Sequence, residues 1–397
     1  VAHPSGRGEG SAVPLRLAAF YAAFFLFLGI HQPYWPVWLN AQGLSAAQIG
    51  ILLAAPLIVK IAANPLAGSI ADARGDRKAP LLAMSGAGLA AYGLFFPAEG
   101  FWLLLPLTLL VSALILPMMP LADTLTMAKS RELALDYGRI RLWGSLSYIA
   151  AATFGGMVLA QADGDRVLWM LLGALGLVVL SCLTLPDLSP EPPHKPRPGE
   201  DGKGSFLRLA LHPVFLLFLA ATALIQTSHM IYYGFATLHW RDAGLSPAMI
   251  GLFWSQGVIA EVLLFALSGL LVRRVGIARL VVLAGLAGAI RWAVLGATTA
   301  PAGILAVNWL HCATFGMTHL AAMHFIQRAA PRTMTARAQS LYASFTAGLA
   351  PGLAMLGAGP VYDAFGGSAF HVTALLALLG ALAGLLLWRR WDGRELA

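Results

Sequence analysis

The sequence predicts an all-α polytopic membrane protein. Three observations carry that expectation: the apolar excess, the length of the apolar runs and the placement of the charges. Of 397 residues, 58% are hydrophobic and only 11% charged, where soluble domains carry about 25% charged residues. A bilayer crossing takes about 20 apolar residues. Twelve such stretches can be marked, at 15–39, 46–72, 79–98, 101–127, 139–161, 166–186, 207–236, 247–272, 277–298, 301–327, 336–362 and 368–391. Backbone in hydrocarbon must satisfy its own N–H and C=O groups, so each stretch is expected to be a helix.

Residues 187–206, between the sixth and seventh stretches, are rich in Pro, Gly and charge. Such a segment buries little apolar area and is expected to be a flexible linker. It divides the chain into six-helix halves at 15–186 and 207–391, with polar tails at 1–14 and 392–397. The first tail lacks a clear small-residue cleavage site, so the first stretch is expected to remain as a helix.

A net charge of +8 would suggest a nucleic-acid partner in a soluble protein, but here the charges report orientation. Of 26 Lys and Arg residues, 22 fall on one alternating set of loops and tails, while the opposite loops hold only Arg166 and Arg241. Positive residues favour the cytoplasmic side of short loops. Both termini and the linker are therefore expected in the cytoplasm of a bacterial inner-membrane protein, with the bilayer rather than nucleic acid as the macroscopic partner. Cys182 and Cys312 lie inside apolar stretches, which leaves no disulfide framework.

An internal repeat supports the two halves. GLSAAQIG at 43–50 recurs as GLSPAMIG at 244–251, and the same offset of 201 residues places Gly68 over Gly269 and Gly75 over Gly276. Parallel six-helix repeats describe a transporter whose site lies near the midplane between them.

The loop GSIADARGDRK at 68–78 resembles the signature G-x-L-A-D-R-x-G-R-K of the major facilitator superfamily. Gly68, Asp72, Gly75, Arg77 and Lys78 fit it. Ala73 and Asp76 depart from it, and Arg273 stands where the second half would carry the signature Asp. The resemblance implies the major facilitator fold and a gating loop, in which Gly68 allows close helix approach and Asp72 offers an anion to a neighbouring helix.

A narrower resemblance covers nearly the whole chain. Asp123 and Arg141 are spaced like the acidic and basic sugar-binding residues of the lactose permease, and Glu261, Arg291 and His311 match further polar positions of that group. Asn308 and Thr314 stand where the lactose permease has a Lys and an essential carboxylate, and Lys60 is unlike the sugar carrier. These details, with GVIAEVLLF and LHCATFGMTHLAAMHF, look more like the 3-phenylpropionate permease branch. The resemblance also implies that Arg141 or Arg139 pairs with Glu261. The fifth stretch lacks the Pro associated with drug–proton antiporters, which favours symport.

Charges inside a bilayer cost about 2.5–3.5 kcal/mol on insertion scales and mark function by default. Lys60 and Glu261 lie near the middle of the second and eighth stretches, superposed by the repeat. Glu261 is the first candidate for proton coupling, because burial raises a carboxyl pKa and a nearby Arg lowers it; Asp123 and His311 are further candidates. Lys60 and Asn64 share a helical face by i, i+4 spacing, and Arg291 offers a fork suited to a carboxylate. Lys60 could instead neutralise a neighbouring carboxylate. Arg141, His31 and Asn308 complete the expected substrate-binding set. Tyr34, Trp35 and Trp38 could supply stacking surface or form an interfacial belt.

No metal-ligand spacing and no phosphate-binding loop occurs in the sequence, so neither a metal nor a cofactor is expected, nor an enzyme. The expected function is import of a small organic acid, aromatic and phenylpropionate-like, by proton symport with alternating access, the carrier working as a monomer. The alternatives are a proton-coupled carrier of a neutral sugar or nucleoside and, in another class, a non-transporting membrane sensor.

Overall fold

A computed structural model describes residues 7–159, 165–186, 203–331 and 333–396. Among them all secondary structure is helical. Most of the expected linker, with Lys195 and Arg197, and also Arg332 and residues 1–6, lie outside the described residues. In chain order the helices are α1 (Arg7–Ala41), α2 (Ala46–Arg74), α3 (Lys78–Gly93), α4 (Phe101–Ile115), α5 (Met118–Leu133), α6 (Tyr137–Leu159), α7 (Asp165–Thr184), α8 (Lys203–Ala210) and α9 (Pro213–Thr227). They continue with α10 (Met230–Asp242), α11 (Pro247–Ala266), α12 (Ser268–Val275), α13 (Ile277–Ala297), α14 (Pro301–Asn308), α15 (Thr318–Ala329), α16 (Thr335–Ser344), α17 (Ala350–Phe365) and α18 (Ala369–Arg390). Each of the twelve expected stretches is occupied by helix. Among the described residues, nine helical runs are long and apolar enough to cross a membrane, one of them the 56-residue run Thr335–Arg390.

The breaks have local causes. Pro117, which has no N–H, separates α4 from α5, and Pro120 sits in the first turn of α5. Two segments wind as π-helix, Cys312–Met317 and Phe345–Leu349. In the first, the Thr318 hydroxyl donates to the Thr314 carbonyl at 2.7 Å. Side-chain bonds of this kind compete with the i→i−4 ladder and bend helices. The second segment runs up to Pro351, which cannot donate to the preceding turn.

Two compact units emerge: Val1–Leu44, Ile58–Lys195 and Ser246–Ser255 in one, and Ser45–Leu57, Pro196–Leu245 and Gln256–Ala397 in the other. The short exchanged segments carry the repeated motif, and its residues have matching structural roles. Gly43 and Gly244 adopt φ of +74° and +81°, a region open to glycine at little cost. Ser45 and Ser246 accept from the amides of Gln48 and Met249 at the starts of α2 and α11, and Gln48 accepts in return from the Ser45 amide, a capping box. Ile49 and Ile250 are buried. Within the first unit, a Cβ on Gly251 would collide with the Ala152 carbonyl of α6; within the second, a Cβ on Gly50 would meet the Met355 carbonyl of α17 at 2.9 Å.

In the first unit α1 packs on α6: Gly29 lies against Tyr148 and Ala151, the Ser147 hydroxyl donates to the Ala22 carbonyl, and the Tyr34 hydroxyl donates to the Ala152 carbonyl. In the second, Phe215 and Phe218 of α9, Val281 of α13, Phe325 of α15 and Leu387 of α18 form one apolar core. Gly380 fits against Ala221 and Ile225, and Gly384 against Val281, which lets α18 lie close to α9 and α13. Leu396 returns to this core and its amide donates to the Ala329 carbonyl.

Tyr34, Trp35 and Trp38 form no interfacial belt. All three are buried, and Trp38 stacks on Trp35 with centroids 4.6 Å apart, edged by Phe95 of the segment following α3. Among the described residues the exposed tryptophans are instead Trp102, Trp143, Trp169, Trp309 and Trp388; Trp102 and Trp388 lie at helix ends, where amphipathic rings favour the membrane surface, while Trp309 sits at the break after α14.

Candidate functional site

The second unit holds a row of polar side chains built by α10, α11, α13, α14 and the π-segment after it. Arg291 of α13 is fully buried. Its Nη1 donates to His311 Nδ1 at 2.8 Å and lies 3.4 Å from Thr314 Oγ1, and its Nη2 donates to Asn308 Oδ1 at 3.1 Å. The guanidinium is flanked by the rings of Tyr232 and Trp292, 4.5 and 4.4 Å away, which favours the cation in a dry site. Nε alone has no hydrogen-bond partner.

This arrangement fixes protons. A guanidinium can only donate, so His311 Nδ1 accepts and the imidazole proton sits on Nε2, which lies 2.8 Å from Glu261 Oε1. Glu261, His311 and Arg291 thus form a row of carboxyl acceptor, neutral imidazole and cation. A second proton on His311 would oppose the Arg291 donor, so His311 is held neutral while that bond stands. His229 carries the opposite tautomer: its Nδ1 faces the Ile225 carbonyl at 3.1 Å, leaving Nε2 to accept from the Thr314 hydroxyl at 2.9 Å. His229 is not among the expected site residues. Its link to Arg291 runs through Thr314, which the sequence marks only as a departure from the lactose permease pattern. Tyr232 left no signal beyond its aromatic character.

The first unit places its charges differently. Asp123 of α5 accepts at Oδ1 from the hydroxyls of Tyr21, at 2.6 Å, and Tyr137, at 3.0 Å. The Arg141 guanidinium lies over the Phe25 ring at 3.9 Å and 5.4 Å from the Tyr21 ring. Among the described residues Arg141 has no ion-pair or hydrogen-bond partner, so the acidic and basic residues implied by the lactose permease pattern are engaged by aromatic groups instead. Lys60, half-buried in α2, likewise has no hydrogen bond or ion pair among the described residues. One turn on, Asn64 has a buried carbonyl oxygen with no partner. His31 stacks on Trp35 with centroids 5.4 Å apart and touches Phe27 and Tyr92.

In the expected gating loop, Arg77 donates to Asp72 at 2.6 Å and Gly75 adopts φ of +66°. The pair closes within the loop. Asp76, a departure from the signature, accepts from the amides of Lys78 and Ala79 at the start of α3. Gly68 does not serve close helix approach in this structure, since a Cβ there would meet nothing within 4 Å. No group of three or more His, Cys, Asp or Glu side chains among the described residues is placed to hold a metal.

A tied carboxylate in one unit and unpaired cations in the other, on a scaffold with an internal repeat, are features of a solute carrier, and comparison with known proteins supplies the family. Residues 14–372 match the MFS_1-like family. The chain belongs to that family. This MFS_1-like chain is 33% identical over 368 residues to a protein of Escherichia coli (strain K12) named as a probable 3-phenylpropionic acid transporter, covering 91% of this chain and 94% of the relative. It is 28% identical to a maltose permease of Geobacillus stearothermophilus, over 94% and 93% of the two chains. The structure resembles that of a mutant of the nucleoside transporter NupG with a TM-score of 0.85 and 16% identity, over 95% of this chain and all of that one. This MFS_1-like protein is therefore a multi-pass membrane transporter of a small-molecule substrate, not an enzyme.

Proposed function

We infer that the carrier imports a small aromatic organic acid by proton symport, as a monomer in a bacterial inner membrane with both termini cytoplasmic. The observation that supports this reading is Lys60. A cation held without a counter-ion in a membrane span is costly, and a substrate carboxylate would offset that cost. The unpartnered Asn64 carbonyl one turn away can accept from a protonated group, and the Arg141 guanidinium, part-exposed over the Phe25 ring, offers a second carboxylate fork.

Glu261 takes the coupling role in this reading. With His311 kept neutral by Arg291, an incoming proton goes to the Glu261 carboxyl. Protonation leaves the Arg291 cation without its balancing anion, a state that a second anion entering the carrier offsets. Proton and carboxylate then favour one another's binding, and the doubly loaded carrier reorients more easily than the half-loaded one. Asp123 is a second candidate for protonation, its hydrogen bonds from Tyr21 and Tyr137 having to rearrange when it becomes a donor. The aromatic substrate class follows the name of the 33% identical relative.

A neutral sugar or nucleoside is the second reading. It draws on Asp123, whose phenol partners give a hydroxyl-binding surface, and on the name of the maltose permease relative. Uptake into liposomes of a phenylpropionate, a galactoside and a nucleoside, with and without an inward proton gradient, separates the two. Gradient-driven uptake of the acid alone, corrected with protein-free liposomes and lost in Glu261→Gln, supports the organic-acid reading. Uptake of a neutral solute alone overturns it.

A further inference from the structure

A groove on the first unit is lined by none of the residues assigned above to substrate, proton or gating loop. It has a volume of about 460 Å³ and is walled by the second half of α2, the start of α3 and Ala113 of α4. Its α2 wall is the stripe Ala63, Leu66, Ala67 and Ile70, and its α3 wall includes Pro80, Ala83 and Met84. Alanine at five of the lining positions makes the depth: larger side chains there would fill it. Leu66 and Ile70 are 62% and 48% exposed, so the groove opens to the surroundings of the bundle.

One charged residue lines it, Arg74 in the last turn of α2. Arg74 is exposed and has no ion pair or hydrogen-bond partner among the described residues. The acids of the adjoining loop are committed, Asp72 to Arg77 and Asp76 to the amides at the start of α3. An apolar trough that ends at an unpaired guanidinium, where α2 runs into the basic loop 75–78, is complementary to one ligand above others: an acyl chain joined to an anionic phosphate headgroup. A guanidinium holds phosphate through paired N–H donors, and basic pockets between membrane helices bind anionic headgroups.

We propose that this groove is a binding site for one anionic phospholipid of the leaflet on the basic-loop side, its headgroup paired with Arg74 and an acyl chain lying between α2 and α3. The site is independent of the transported substrate.

Native mass spectrometry of the full-length protein, titrated with phosphatidylglycerol or with phosphatidylethanolamine, tests it. The expected result is one phosphatidylglycerol bound in preference to phosphatidylethanolamine. Binding should weaken about five-fold in Arg74→Gln, in line with one basic residue at a membrane surface, and recover in Arg74→Lys. Ala83→Leu, which keeps the charge and narrows the trough, should also weaken binding, while Arg131→Gln at the end of α5 should not. Thermal unfolding and elution volume report whether each variant is folded, and a misfolded Ala83→Leu is replaced by Ala83→Val. Equal adducts of both lipids, or adducts unchanged in Arg74→Gln, overturn the proposal. A dimer that is lost in Ala83→Leu while lipid adducts stay unchanged would reassign the groove to a second copy of the chain.

Discussion

Replacing Glu261 by Gln should expose how strongly the buried Arg291 depends on its distant anion. Gln can still accept the proton of His311 Nε2, so the hydrogen bond survives and only the charge is lost. Two 2.8 Å bonds join the ends of the row, and with the width of one imidazole the carboxylate and guanidinium lie about 8 Å apart, an interaction of about 2 kcal/mol at an effective dielectric of about 20. A double-mutant cycle over wild type, Glu261→Gln, Arg291→Gln and the double variant isolates that quantity. Unfolding in mixed micelles titrated with sodium dodecyl sulfate supplies the free energies. The double variant should be more stable than the sum of the single losses implies, by about 2 kcal/mol. Additivity within about 0.5 kcal/mol would mean that Arg291 is compensated by its rings and neutral partners alone, and would remove the electrostatic reason for placing the proton on Glu261.

Other outcomes follow from the same geometry. Lys60→Gln should raise the KM for a monocarboxylate by tenfold or more, as loss of about 1.4 kcal/mol implies, and Lys60→Arg should retain most of the affinity; uptake assays of both variants check this. Tyr21→Phe and Tyr137→Phe each remove one hydrogen bond to a carboxylate, so each should cost about 1.5–3 kcal/mol if Asp123 is ionised in the folded carrier, read as a lower unfolding midpoint that is smaller in effect when Asp123 is already Asn. Gly251→Val has no room beside the Ala152 carbonyl and should lower the melting temperature, whereas Gly269→Val, at a position with open space, should leave it within a degree or two of wild type. Asp76→Ala strips two acceptor bonds from the start of α3 and should cost about 1 kcal/mol of stability, with Asp76→Asn in between.

Much of the fold was legible because hydrocarbon leaves the backbone few choices: apolar runs had to be helices, and the repeat marked where the halves correspond. The repeat's meaning was less accessible. Gly43, Ser45, Ile49 and Gly50 look alike as letters of a motif, yet one is a left-handed turn, one a cap, one core and one a close crossing. Sequence also placed Glu261, Arg291, Asn308 and His311 among the groups of interest, since intramembrane polar residues are rare enough to stand out. It gave no access to their bonding order. That order depends on which atoms meet, and a single π-turn after His311 decides which face of that segment Thr314 shares with Asn308. For the same reason Asp123 could be singled out but its partners could not: Tyr21 lies 102 residues away along the chain, and a buried aromatic in a membrane helix carries no mark of the hydrogen bond it makes. The tryptophans of α1 left two readings open, because an aromatic cluster near a helix end reads the same whether its rings meet lipid or one another.

In the proposed proton symport, with Glu261 ionised at rest, the neutral imidazole between Glu261 and Arg291 also sets the electrical character of transport. Anion, imidazole and cation sum to zero, so the row presents the membrane voltage with nothing to pull on at rest. One added proton makes it a unit positive charge, and one monocarboxylate on Lys60 brings the loaded carrier back to its resting charge. At that stoichiometry the cycle is electrically silent: a pH step across the membrane drives accumulation, a potassium–valinomycin potential alone does not, and a current in a solid-supported membrane would report a second proton, for which Asp123 of the first unit is the candidate.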